Sequence, residues 1–467
     1  MTAFDLFIVG SGPAGQKAAI QAAKGGLRVA VCEQLRQVGG ACVQFGTIPS
    51  KALRERAMSQ AQALRRLAGM DIVLPAGSGG VQGLIGEMTD VLSTHDQYMR
   101  TQLKRNGVAI VHGRAGFTSP TELNVRFVDG HSESFRAANV LIASGSKPRH
   151  PAQIAVDHEA IYDSDSILSL AYLPESLVVL GGGVIACEYA SIFSLLGVKV
   201  TLVDRFPRPL GFLDADLTSR FLEAFEAGGG EFVGEVEVTG CGVDALGAVE
   251  TQLADGRTLR SDKLLCAQGR IAQVQGLGIE NAGLSLDARG LIEVDASGRT
   301  AVPSIYAAGD VIGPPSLASA SMEQGRRVAC AVLGIDPGRQ GDWIPTGIYA
   351  VPELACVGLT ETAARAQDPD CVTGIAHFDE IARGHIAEQT RGLLKLVVGR
   401  DRKILGIHIV GAQATELIHI GQMGLIHGAS VDTYIENCFN FPTYGESYRV
   451  AALQVAGALD AGRRTAA

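Results

Sequence analysis

Glycines spaced for dinucleotide binding follow the first apolar run of this 467-residue chain. The run ends at Gly10, and Gly10-Ser11-Gly12-Pro13-Ala14-Gly15 leads into a predicted helix. Gly10 permits a tight turn, Gly12 lets the backbone approach a pyrophosphate, and Gly15 allows the helix to contact the strand closely. Free N–H groups at the helix N-terminus bind phosphate. Glu33, which ends the next predicted strand, stands where a carboxylate holds an adenosine ribose hydroxyl.

The same unit occurs a second time. An apolar run at 177–180 leads into Gly181-Gly182-Gly183, a predicted helix to residue 196, and a second strand at 199–203 that ends at Asp204. Two complete units predict two bound nucleotides. The alternative is a duplicated fold in which one site is inactive.

Charged residues after the second unit bear on which nicotinamide binds there. Asp204 suits NAD because it accepts hydrogen bonds from a ribose 2′-hydroxyl, whereas Arg205 or Arg208 suits the 2′-phosphate of NADP. The chain therefore predicts use of both nucleotides, unless the two arginines point into solvent.

Cys42 and Thr47 lie five residues apart in the segment 39–51. Thiol–disulfide exchange needs one sulfur to attack and a second to resolve the mixed disulfide. A thiol followed by a hydroxyl cannot cycle between dithiol and disulfide, so any electron transfer here should bypass sulfur.

Composition excludes several classes of partner and site. The net charge of −9 argues against nucleic acid and anionic membranes, which attract positive charge. The first ten residues lack the features of a signal peptide, and no run is long and apolar enough to span a bilayer. The nine cysteines lack metal-ligand spacing. We expect a cytoplasmic protein with reduced thiols, no metal and no membrane partner.

The order of these motifs predicts an α/β fold with two Rossmann-like dinucleotide-binding domains and a third, α+β domain. The predicted divisions are a first nucleotide domain at 1–150, a second at 151–275, a return to the first at 276–345, and a remainder at 346–467 without a glycine fingerprint. A strand with small residues that ends at Ser146 marks where the chain leaves the first nucleotide domain. Another strand that ends at Gly309-Asp310 marks where the chain returns to it. By itself Asp310 is also compatible with a turn residue.

Several segments together resemble the class I pyridine nucleotide-disulfide oxidoreductases, the flavin disulfide reductases. Their redox motif reads Gly-Gly-x-Cys-x-x-x-x-Gly-Cys-Ile-Pro-Ser-Lys, and here Thr47 replaces the second cysteine. Their C-terminal His-Pro-Thr-x-x-Glu motif corresponds to Phe441-Pro442-Thr443 with Glu446, so Phe441 replaces the histidine. Within the family, Gly-Thr-Ile-Pro-Ser-Lys resembles the soluble transhydrogenase group, and the resemblance covers the whole chain.

The resemblance implies a homodimer that binds FAD, NAD and NADP. It places Thr47 near the central flavin ring, with a locally satisfied helix-start threonine as the alternative, and Lys51 beside flavin N5, paired with Glu188. The candidate catalytic residues are Thr47, Lys51 and Glu188. The candidate cofactor-binding residues are Gly10, Gly12, Gly15, Glu33, Gly40, Cys42, Lys51, Gly145, Gly181, Gly183, Asp204, Arg205, Arg208, Gly269, Gly309, Asp310, Phe441 and Pro442.

The missing second cysteine and the missing histidine predict the same function. Phe441 cannot act as the general acid or base that thiol substrates need, and Cys42 lacks its partner sulfur. Hydride transfer between a nicotinamide and a flavin needs only proximity and orientation. We therefore expect an FAD-dependent transhydrogenase that reduces NAD+ with NADPH by a ping-pong route. The alternatives are an NAD(P)H diaphorase or quinone reductase and a nucleotide-binding redox sensor without turnover.

Overall fold

The computed structural model describes residues 2–67 and 81–465. Residues 68–80 of the first predicted segment and the last two residues of the fourth lie outside this description, as does Met1. Among the described residues, no helix combines the length and the apolar character needed to cross a bilayer.

The first fingerprint follows the carboxyl end of an interior strand of a mostly parallel sheet. The strands of this region are β1 Thr2–Val9, β2 Val29–Glu33, β3 Ala109–His112, β4 Arg114–Ser119, β5 Glu122–Arg126, β6 Ser132–Ile142 and β7 Ser146–Pro148, and its helices are α1 Pro13–Lys24, α2 Gly40–Gln44, α3 Thr47–Leu67 and α4 Val81–Arg105. The order β3-β2-β1-β6 is parallel, and β5 and β4 continue it in antiparallel pairing.

The turn after β1 requires glycine. Gly10 has φ +105°, and a Cβ on it would lie 2.3 Å from the carbonyl oxygen of Ala143. Only a residue without a side chain fits both the conformation and the space. The turn therefore brings the N-terminus of α1 to the carboxyl edge of the sheet.

The second fingerprint follows the middle strand of a five-stranded parallel sheet. Its region comprises β8 Ile161–Asp163, β9 Ser176–Leu180, β10 Lys199–Val203, β11 Glu231–Val233, β12 Val238–Val243, β13 Val249–Leu253, β14 Thr258–Ser261, β15 Lys263–Cys266 and β16 Arg270–Ala272, with helices α5 Val184–Leu195 and α6 Ala215–Ala227. The sheet order is β11-β10-β9-β15-β8, while β12, β13 and β14 form a separate antiparallel sheet and β16 pairs with β7. Two sheets with a glycine turn each confirm the predicted pair of Rossmann-like regions.

The chain then returns to the first sheet. The strand β17 Ile305–Ala307 pairs with β6 in parallel, and helix α7 Ala318–Leu333 packs on α1. The C-terminal region that follows is α+β, as predicted. It has an antiparallel sheet in the order β18-β19-β22-β21-β20. Its elements are β18 Thr346–Ile348, β19 Leu354–Gly358, α8 Glu361–Gln367, β20 Val372–His377, α9 Ala382–Ile386, β21 Leu393–Val398, β22 Ile404–Val410, α10 Ala414–Ile426, α11 Asp432–Glu436 and α12 Glu446–Thr465.

One buried apolar cluster joins all three regions. It combines Leu53 and Ala57 of α3 with Ala186 and Ala190 of α5, and with Ile348 of the C-terminal sheet. Because burial of these small and branched side chains removes apolar surface from water, it holds α3 against α5. This packing places the polar N-terminal turn of α3 beside the start of α5.

Candidate active site

A cavity of about 1260 Å³ lies where the three regions meet. Its walls include the first glycine turn, the N-terminal turns of α3 and α5, and residues of β18 and α10. Eleven candidates line it together, namely Gly10, Gly12, Glu33, Gly40, Cys42, Thr47, Lys51, Gly145, Glu188, Gly309 and Asp310. The volume and the extended shape of this lining suit a large dinucleotide.

Lys51 of α3 and Glu188 of α5 form an ion pair on the wall. The lysine Nζ lies 2.6 Å from Glu188 Oε2 and 2.8 Å from Oε1. The Glu188 side chain is only 5% exposed and that of Lys51 is 24% exposed. A buried carboxylate requires a counter-ion, so the pair keeps a positive charge fixed at the cavity surface.

Cys42 and Thr47 are neighbours where a disulfide would otherwise lie. Helix α3 begins at Thr47, and both residues line the same cavity wall. Burial raises the pKa of the Cys42 thiol, and the nearby Thr47 hydroxyl opposes that rise only in part. All nine cysteines are free. Since the thiolate is the nucleophile, Cys42 is a poor attacking group.

The first glycine turn forms a cradle for phosphate. A Cβ on Gly40 would lie 2.9 Å from the Cα of Gly12, so the two backbones approach as closely as glycine allows. Next to them, Ser11 donates its backbone N–H and its hydroxyl to the Glu33 carboxylate, at 3.1 and 2.6 Å. Glu33 is 4% exposed and is thereby fixed at the cavity edge. A pyrophosphate and an adenosine ribose fit this arrangement.

Two polar atoms on the cavity wall have no hydrogen-bond partner among the described residues. They are the hydroxyls of Ser144 and Tyr189, and both are buried. Buried hydroxyls are normally paired. These orphaned groups are consistent with a site built to receive a polar cofactor.

Arg270 is a site residue that the sequence patterns did not reveal. Its guanidinium donates to the Ser146 hydroxyl at 2.9 Å and to Asp165 Oδ1 at 2.8 Å. The Ser146 hydroxyl donates in turn to Asp310 Oδ2 at 2.6 Å. Asp310 is therefore connected to the second nucleotide region and is more than a turn residue. Only the adjacent Gly269 was a signal in the sequence, and it does not predict these contacts.

The second fingerprint has its own cluster outside the cavity lining. Asp204 lies so close to the turn that a Cβ on Gly182 would meet its Oδ2 at 2.1 Å. The Asp204 carboxylate lies half-buried beside the turn, and this burial raises its pKa. Arg205 is exposed and stacks over the Phe206 ring at 4.8 Å, and Arg208 is partly exposed. Among the described residues, neither guanidinium forms a salt bridge.

The remaining candidates do not line the cavity. Gly15 lets α1 contact the first turn, since a Cβ there would meet Gly10 O at 2.0 Å. Gly181, Gly183 and Gly269 lie in the second nucleotide region. Phe441 is 68% exposed, Pro442 is also exposed, and neither lines this chain's own cavity.

One acidic cluster has the dimensions of a metal site. Carboxylate oxygens of Asp214, Asp216 and Glu361 lie within 4.8 Å of one another. The Lys395 ammonium contacts all three, at 3.0 Å from Asp214 and 2.6 Å from Glu361. The cluster thus already holds a cation supplied by the chain.

Comparison with known families agrees with this geometry. Residues 4–325 match the pyridine nucleotide-disulphide oxidoreductase family, and residues 344–452 match its dimerisation domain. The chain belongs to this family. The resemblance predicted from the motifs and the fold class are thereby confirmed, and the protein is an oxidoreductase by its family.

Named relatives of this oxidoreductase cover nearly its whole length. Proteins described as soluble pyridine nucleotide transhydrogenase from Yersinia enterocolitica and from Yersinia pestis are each 40% identical, over 96% of this chain and 97% of theirs. Among solved structures, LpdA from Mycobacterium tuberculosis has a TM-score of 0.88 at 26% identity, covering 97% of this chain and 99% of that one. The HOCl-induced flavoprotein disulfide reductase RclA from Escherichia coli has a TM-score of 0.87 at 27% identity, covering 97% and 100%.

Proposed function

We propose that this oxidoreductase is an FAD-dependent soluble pyridine nucleotide transhydrogenase that converts NADPH and NAD+ to NADP+ and NADH. The observation that carries the proposal is the position of Thr47 next to Cys42 on the cavity wall, beside the Lys51–Glu188 pair. The wall keeps a fixed positive charge but has one sulfur where thiol exchange needs two. The transhydrogenase relatives, 40% identical over 96% of the chain, support the same function.

FAD, when bound, supplies an acceptor that takes a hydride from one nicotinamide and gives it to another. Gly10, Gly12 and Gly40 would hold its pyrophosphate, Glu33 its adenosine ribose, and Asp310 its ribityl and pyrophosphate region. Gly145 and Gly309 line the same wall, where they have no side chain to cover the backbone. The cavity that these residues share supports these roles.

The chain's own residues orient both nucleotides. Lys51 would place a positive charge beside the flavin, where it would favour the reduced form, and Glu188 holds the lysine ammonium in position. Asp204 would accept from the 2′-hydroxyl of NADH, whereas Arg205 and Arg208 have guanidiniums free for the 2′-phosphate of NADPH. Gly181, Gly183 and Gly269 would border this nicotinamide nucleotide. One site would therefore admit the two nucleotides in turn, which requires a ping-pong mechanism.

We further propose that the protein works as a cytoplasmic homodimer. Its C-terminal region matches a dimerisation domain. Phe441 and Pro442 lie exposed on that region, so they are free to approach the flavin of a second subunit. Nine free cysteines suit a reducing compartment.

The deciding experiment mixes the flavin-loaded protein with NADPH and thio-NAD+ without oxygen and follows reduced thio-NAD. We expect many turnovers with thio-NAD+, parallel initial-rate lines, and no turnover with lipoamide. A flavin that is reduced once and reoxidised only by a quinone or oxygen would assign a diaphorase. Reduction without any reoxidation by an acceptor would assign a sensor, and lipoamide turnover would restore thiol chemistry.

A further inference from the structure

The aromatic ring of Tyr349 lies next to the charge that the proposed function uses. The Lys51 Nζ stands 4.9 Å from the centroid of the ring. The backbone N–H of the same residue donates to Glu188 Oε1 at 2.9 Å. Tyr349 therefore contacts both members of the ion pair, through its side chain to the lysine and through its main chain to the glutamate.

The main chain around Tyr349 is fixed by contacts with α3 and α5. Val351 N–H donates to the Ser191 hydroxyl at 3.0 Å, and Arg54 Nε donates to the Ala350 carbonyl at 3.1 Å. Ile348 and Ala350, on either side, are fully buried. A segment held at three successive residues leaves the ring little freedom to move away from Lys51.

The partners of Lys51 show what the ring adds. Its ammonium donates to both oxygens of Glu188 and to the Ser50 hydroxyl at 3.2 Å. All of these partners belong to α3 and α5, whereas Tyr349 follows β18 of the C-terminal region. The negative face of an aromatic ring attracts a cation and confines it in space. The ring thus limits where the positive charge can lie in the cavity.

We propose that Tyr349 is a positioning residue that fixes the Lys51 charge, so that the C-terminal region sets the electrostatics at the flavin site. The inference rests on the proposed function for the role of Lys51. Tyr349 takes no part in chemistry itself and acts through the lysine ammonium and the glutamate carboxylate.

The test compares Tyr349→Phe with Tyr349→Leu in the flavin-loaded, full-length protein. The midpoint potential of the flavin is measured by reductive titration, and the rate constant of flavin reduction is measured by rapid mixing with NADPH. We expect Tyr349→Leu to shift the potential to a more negative value and to slow reduction about tenfold, with the NADPH concentration at half-maximal rate little changed. Tyr349→Phe keeps the ring and should remain within about twofold of wild type.

A double-mutant cycle shows whether the effect passes through the lysine. In a Lys51→Met background, Tyr349→Leu should cause no further shift in potential. Tyr172→Leu is the matched control, because Tyr172 also stacks with a lysine, Lys263 at 5.4 Å, but lies outside the cavity lining. It should leave the potential unchanged.

Graded replacement of Tyr349 by fluorinated phenylalanines keeps the fold while weakening the ring's attraction for a cation. The potential should fall stepwise with the number of fluorines. An unchanged potential across that series, or a Tyr349→Phe effect as large as that of Tyr349→Leu, overturns the proposal. These readouts use NADPH and the flavin alone, so they stand even if wild-type protein fails to reduce thio-NAD+.

Discussion

The Lys395 ammonium lies 3.0 Å from Asp214 Oδ1 and joins β21 of the C-terminal sheet to the start of α6. The lysine side chain is 2% exposed. His408 on β22 is buried beside this pair, with Nε2 at 2.9 Å from the Leu359 carbonyl and Nδ1 without a partner among the described residues. The second nucleotide region is therefore attached to the dimerisation domain through buried charge.

Lys395→Met should destabilise the protein by about 3–5 kcal/mol, because it leaves Asp214 as an unpaired buried carboxylate. Urea unfolding followed by circular dichroism measures the loss. Lys403→Met is the control, since Lys403 is 65% exposed and 3.6 Å from Asp401, and it should change stability by less than about 0.5 kcal/mol. Equal effects of the two substitutions would contradict a structural role for the buried cluster.

His408 should make stability fall in mild acid. Burial lowers the pKa of His408 below its ordinary value of 6.5. The unfolded chain therefore binds a proton that the folded chain refuses, and stability declines as pH falls from 6.5 toward the folded pKa, by at most about 1.4 kcal/mol per pH unit. Asp214, Asp216 and Lys395 face the ring and partly offset one another.

His408→Gln tests the source of that slope. Glutamine can still donate to the Leu359 carbonyl but does not titrate. Urea unfolding from pH 7 to pH 5 should lose most of its pH dependence in the variant. Asp214, whose pKa is lowered, contributes separately, since its stabilisation is present above 3.8 and is lost only below that pH. An unchanged slope in His408→Gln would rule out the histidine.

Arg208→Ala should weaken NADPH binding about tenfold or more and leave NADH binding within about twofold. The reason is the loss of a charge-assisted contact to the 2′-phosphate. Flavin-reduction rates at a series of nucleotide concentrations give both affinities. Asp204→Ala should have the opposite selectivity. Equal losses of NADPH and NADH in Arg208→Ala would mean that this arginine does not read the phosphate.

Thr47→Cys should restore a disulfide without restoring thiol reduction. The Thr47 hydroxyl already lies close enough to the Cys42 thiol to lower its pKa, so a sulfur at residue 47 lies within reach of disulfide formation. Thiol titration of the oxidised, unfolded variant should find one fewer thiol than wild type. Lipoamide activity should stay absent, because Phe441 supplies no proton. Cys42→Ser combined with Thr47→Cys should keep its thiols, and lipoamide turnover in Thr47→Cys would show that the histidine is dispensable.

Much of this molecule follows from local sequence. The two glycine turns, their helices and the following strands are set by short-range requirements, because Gly10 must adopt φ +105°, which glycine permits without strain. The replacement of a cysteine by Thr47 and of a histidine by Phe441 is also visible without any structure. Family membership and fold class could therefore be predicted from these motifs.

Tertiary structure decided how distant residues meet at the site. The family resemblance predicted that Lys51 pairs with Glu188, and the contact itself forms because α3 packs on α5 through a common apolar cluster. Arg270 is connected to Asp310 by hydrogen bonds through Ser146. Tyr349 contacts Lys51, although the two residues are almost 300 positions apart in the sequence. No periodicity or motif encodes such contacts, since they depend on how whole sheets and helices pack. The sequence determined the nucleotide-binding turns and the missing sulfur, whereas packing determined the charge and the aromatic ring placed beside them.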